Sequence, residues 1–98
     1  GKEALRREIQ EKTAGAKVVS FTNRNGGRLV IHPAVRADAE SPWQLTTIGY
    51  DGRPWGHTNP PTFEEALYRS INASEDGYWN ESGYSYEWSD NVGGKPPI

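Results

Sequence analysis

Two histidines, His32 and His57, are the only side chains in this chain that exchange a proton near neutral pH. Neither stands at the spacing of a metal-ligand set or of a nucleophile, base and orienting acid. Each reads as a strand residue whose ring is satisfied by its neighbours. Glu64 and Glu65 are adjacent on a helical stretch, so they point in different directions and cannot act as a carboxylate pair. Gly26-Gly27 lies between two strand-like segments, whereas a phosphate-cradling glycine turn needs a strand before it and a helix after it. The chain contains no cysteine, which removes thiolate nucleophiles, disulfides and cysteine-held zinc together. These residues predict no enzyme, no metal and no cofactor.

Residues suited to binding are more plentiful. Tyr50, Trp55 and His57 fall close together around an Asp-Gly turn. Trp79, Tyr84, Tyr86 and Trp88 lie in an acidic segment, Glu75 to Asp90. Rigid rings supply contact area at low entropy cost, and nearby acids steer a basic partner. The same rings, with Asn and Asp beside them, also suit stacking against a sugar. They suit a domain core equally well, because Leu, Ile, Val and Phe together number only 16 of 98 residues. A basic group, Lys17, Arg24 and Arg28, surrounds the first hairpin and with Arg6, Arg7 and Lys12 offers phosphate contacts. Only Phe21 is interleaved with those bases, and Glu3, Glu8 and Glu11 dilute them.

The elements that must position these groups can be read in order. Ninety-eight residues form one domain with one modest core. Residues 1 to 36 carry a net charge of +5 and residues 37 to 98 a net charge of −7. That split marks either a charged binding face or two halves that attract each other. No apolar run reaches the length of a membrane span, and the expectation is a soluble, cytoplasmic protein.

Lys2 to Lys12 has Leu5 and Ile9 four apart, and Glu3 to Arg7 and Glu8 to Lys12 at the spacing that supports a helix. Gly15 can close it with positive φ. Lys17 to Thr22 and Arg28 to Pro33 read as a hairpin joined by Asn and Gly. Trp43 to Ile48 and Arg53 to Thr58 form a second hairpin across Asp51-Gly52, with Pro54 marking the returning strand as an edge or a bulge. On strict alternation Trp55 and His57 share one face. Thr62 then caps a helix, Glu65 completes a capping box, and Phe63, Ala66, Leu67 and Ile71 form its apolar stripe to about residue 73. Tyr84 to Trp88 alternates as a fifth strand, and the chain from about 91 reads as a loose tail.

The run Gly56-His57-Thr58 followed by Thr62-Phe63-Glu64-Glu65-Ala66-Leu67 resembles the strand-to-helix junction of HicB-type antitoxins and of several small phage proteins that bind host enzymes. The likeness spans about a quarter of the chain and consists mostly of helix-start chemistry. Ile48-Gly49-Tyr50-Asp51 stands where the HicB pattern has a Pro-Asp-Leu-Pro-Gly-like strand, so no membership is drawn from it.

The fold predicted is α+β: an N-terminal helix, an antiparallel sheet of four or five strands, and a helix over about residues 62–73 on one sheet face. The function expected is a non-enzymatic protein-binding module, of inhibitor or adaptor type, with a protein partner. Nucleic-acid binding through the basic helix and first hairpin is the alternative, and carbohydrate binding a further one.

Overall fold

Five short strands build one antiparallel sheet, and two helices supply the apolar stripe that covers one of its faces. The computed structural model describes residues 1–75 and 83–89. Trp79 and the expected tail from about 91 lie outside the described residues. The elements run α1 (Lys2–Lys12), β1 (Val18–Asn23), β2 (Arg28–Pro33), β3 (Trp43–Ile48), β4 (Pro54–Thr58), α2 (Phe63–Glu75) and β5 (Tyr84–Ser89). The sheet order is β4-β3-β2-β1-β5, so the chain meanders through four strands and returns after α2 to the far edge. No helix among the described residues is long and apolar enough to cross a membrane.

Register fixes which side chains share a face. Val19, Ile31 and Leu45 lie in one cross-strand row, with Phe21 and Leu29 in the next. Ala66, Leu67 and Ile71 of α2 and Ile9 of α1 close on them to form the core. At about 25 cal/mol per Å² of apolar surface, each fully buried member contributes roughly 1.5–3 kcal/mol. Aromatic rings complete this core where aliphatics run out: Tyr84 and Tyr86 pack against it from β5, and Trp43 and Phe63 meet at 5.1 Å between ring centres.

The opposite face is different in kind. Val30, His32, Gln44, Thr46 and Ile48 are all buried there, so polar groups must find partners among themselves. The carbonyl of Pro33 can only accept, so Nδ1 of His32, 2.8 Å away, carries the proton. Nε2 then accepts from the Thr46 hydroxyl at 2.7 Å, and that oxygen accepts from Gln44 Nε2 at 3.0 Å. Burial, opposed by the Pro33 bond and reinforced by the nearby His57, lowers the His32 pKa. Its ring is a satisfied structural group.

Local chemistry sets the ends of the elements. Thr62 Oγ1 accepts from the Glu65 N–H at 3.0 Å and caps α2. Glu65 turns its carboxylate forward to Arg69 at 3.1 Å, so the reciprocal half of the expected capping box gives way to an ion pair one helical turn on. In α1, Thr13 bonds back to the Ile9 carbonyl at 2.7 Å and Gly15 takes φ 81°, ending the helix. The thin stripe of α1 has help: Arg6 reaches Glu75 and Asn72 of α2, and Tyr86 donates to Glu8 at 2.8 Å. The Arg6 to Glu75 pair joins the basic and acidic halves of the sequence within one fold.

Candidate functional site

Aromatic residues divide sharply by exposure. Tyr84 and Tyr86 lie 6.1 and 6.3 Å from Phe21, ring centre to ring centre, and belong to the rim of the core. Burial first, then the bond and charge of Glu8, push the Tyr86 phenol up to about 12. Burial and the Glu75 charge likewise raise Tyr84. Trp88 stacks on Tyr86 at 5.8 Å and is 46% exposed at the β5 edge. Tyr50 and Trp55, at 73% and 52%, stand at the opposite end of the sheet.

The hairpin of β3 and β4 presents that second pair. Asp51 Oδ1 accepts from the Arg53 N–H at 3.0 Å, Gly52 takes φ 79°, and the turn closes with Gly49 N–H donating to the Arg53 carbonyl at 2.9 Å. The Trp55 indole fills the space that a Cβ at Gly49 would need. Tyr50 then meets it edge-on at 5.3 Å and 87°, a favourable arrangement of ring quadrupoles. Glycine at position 49 seats the indole, and the indole in turn holds Tyr50.

Pro54 produces the irregularity expected of it. Pairing runs Thr47 with Gly56 and Ile48 with Pro54, which leaves Trp55 as an extra residue in β4. Alternation is broken at that point, so Trp55 and His57 do not share a face as simple counting predicts. Trp55 lies over Gly49, which continues the helix-covered side of Leu45 and Thr47. His57 is opposite Thr46 and falls on the side of His32.

Hydrogen-bond parity exposes a second property of β4. Bonded and non-bonded pairs alternate along antiparallel ladders. Gly49 bonds to Arg53, and Ala34 N–H donates to the Pro42 carbonyl at 2.8 Å. Counting inward from both contacts, Leu45 and Thr47 direct their backbone groups at β4, and Thr46 directs its own at β2. His57, opposite Thr46, therefore turns both N–H and C=O away from the sheet. Every residue of β4 is exposed.

Beside the end of β4, a polar cleft of about 530 Å³ opens against the β2–β3 connection, lined in part by Arg36, Asp38, Glu40, Gln44, His57 and Asn59. Arg36 is held by Asp38 through two bonds of 3.0 Å. Glu40 has no cation partner among the described residues. The cleft is set by Ser41, whose hydroxyl bonds to the Pro60 carbonyl, and by Asn59, which donates to the Trp43 carbonyl at 3.0 Å.

Basic residues are distributed rather than gathered. Arg24 is exposed at the tip of the first hairpin, and Arg28 donates to Ser20 Oγ at 2.9 Å on the face away from the helices. Lys17 precedes β1 at the other end of that strand, about 20 Å from Arg24 at the usual rise per residue. Among the described residues, no cluster of three or more His, Cys, Asp or Glu side chains could hold a metal ion. Pro54 marked β4 in the sequence as an edge or a bulge, and β4 is both; what counting missed is the face of Trp55 and the outward direction of the His57 backbone. Comparison with protein-family models, with curated proteins and with solved structures finds no match.

Proposed function

We propose that this chain is a non-enzymatic protein-binding module of inhibitor or adaptor type, and that its contact surface is the β3–β4 hairpin. The observation that carries this reading is the exposed, edge-to-face pair of Tyr50 and Trp55. Large rings seated on a rigid turn are the groups that dominate protein interfaces when they become fully desolvated. Their ordering costs less on binding, because the turn and Gly49 already seat the indole against which Tyr50 rests. His57 and the Glu40 cleft add polar groups at the margin, where charge steers the approach of a partner.

Tyr84 and Tyr86 play a different part in this account: they complete the core that holds the hairpin. Immobilised chain exposed to cell lysate tests the reading. Wild type retains a protein that Tyr50→Ala/Trp55→Ala does not, with the fold unchanged by circular dichroism. Equal retention by both rejects the hairpin as the surface. Retention of DNA that falls steeply with salt would favour a nucleic-acid module instead.

A further inference from the structure

Tyr50 and Trp55 lie toward one face of the sheet and His57 toward the other, with the outer backbone of β4 between them. A partner laid on either face reaches one group and misses the other. A strand laid along the edge touches both. Resting on the protein-binding reading above, we infer that β4 accepts an extended segment of another protein as a sixth strand. The His57 N–H and C=O form its central hydrogen-bonded pair, and a Lys or Arg of the segment reaches the Glu40 carboxylate in the adjoining cleft.

Edge strands that must stay single are blunted by proline, bulges, charge or a covering element. Here Pro54 and the bulge guard only the start of β4. Gly56, His57 and Thr58 carry none of these devices and are exposed. Main-chain bonds of an added strand give affinity, while side-chain sites on alternating positions give specificity. The aromatic pair supplies an apolar site on one side, and Glu40 an anionic one, suited to Lys or Arg, near the other end.

A second copy of the chain fits this edge poorly. Two-fold antiparallel pairing through His57 lays the Pro54 bulge of each copy against Asn59 and Pro60 of the other, where the strand has already ended. The extended segment of an unlike partner carries no such bulge and can place a base beside Glu40.

Selection of random linear peptides on the immobilised chain, followed by amide mapping with the selected peptide, tests the inference. Expected are peptides rich in β-branched residues with a Lys or Arg, slowed hydrogen exchange at the His57 N–H, and shifts confined to Trp55 through Asn59 and the cleft. His57→Pro removes the outward N–H and weakens binding about tenfold or more, whereas His57→Ala keeps the backbone pair and most of the affinity. Glu40→Gln weakens a basic peptide about two- to fivefold and flattens its salt dependence. Unchanged exchange at His57, a footprint elsewhere, self-association in place of peptide binding, or no selected peptide overturns the inference. Capture that still requires Trp55 while His57→Pro binds like wild type overturns strand addition and leaves the protein-binding reading standing.

Discussion

Removing Arg6 tests how the N-terminal helix is held. The Arg6 guanidinium approaches the Glu75 carboxylate at 2.6, 2.9 and 3.1 Å and also reaches Asn72 at 3.1 Å. The Glu75 side chain is only 4% exposed and that of Arg6 is 38% exposed. Breaking a wholly buried pair costs about 3–5 kcal/mol, and a wholly exposed one contributes about 0–1 kcal/mol. With one partner buried and water screening the other, Arg6→Ala falls between, at about 2–3 kcal/mol. Glu75→Gln keeps a hydrogen-bonding amide and relieves the buried charge, so it costs about 1–2 kcal/mol. Urea unfolding of wild type, both single variants and the double variant closes the cycle, and a coupling of about 1–2 kcal/mol is expected. The Arg6 bond above all, opposed by burial, lowers the Glu75 pKa from 4.5. The stability advantage of wild type over Glu75→Gln is therefore present above pH 4.5 and disappears as pH falls through the lowered native value. A coupling below about 0.3 kcal/mol, or an advantage that does not shrink as pH falls below 4.5, refutes this account of the helix.

Further predictions follow from single contacts. Ile9 is fully buried as the one core residue of α1, so Ile9→Ala costs about 2–5 kcal/mol in urea unfolding. Because the native His32 pKa lies below 6.5, its contribution to stability is complete above pH 6.5 and is lost as pH falls through the native value; histidine NMR should show a proton on Nδ1 and an unprotonated Nε2. Gly49→Ala drives the indole off its seat, shifting tryptophan emission and weakening partner binding about tenfold while the core of the domain stays folded.

Much of the fold was legible because local signals agreed. Asn23 to Gly27 and Asp51-Gly52 specify turns, Thr62 specifies a helix start, and Leu29, Ile31 and Leu45 specify one apolar face. Alternation in Tyr84, Tyr86 and Trp88 also predicted β5 correctly. It could not say whether those rings faced a partner or the core, since both use the same residues; pairing of β5 beside β1 put Tyr84 and Tyr86 against Phe21. The candidate site was less legible for two reasons. Trp55 sits in a bulge, and a one-residue insertion reverses every facing assignment made by counting. The outward groups of His57 depend on which strands neighbour β3, a property of topology rather than of local sequence. Lys17 and Arg24 illustrate the same limit, being close in the chain yet at opposite ends of a strand.

The affinity of a captured protein for Trp55→Ala relative to wild type, measured with both chains folded, tests the central claim most directly. The hairpin account predicts a loss of about tenfold or more, as for an interface anchor. An affinity within about twofold of wild type, with the loss falling instead on Trp88→Ala, would contradict it and move the binding surface to the far edge of the sheet.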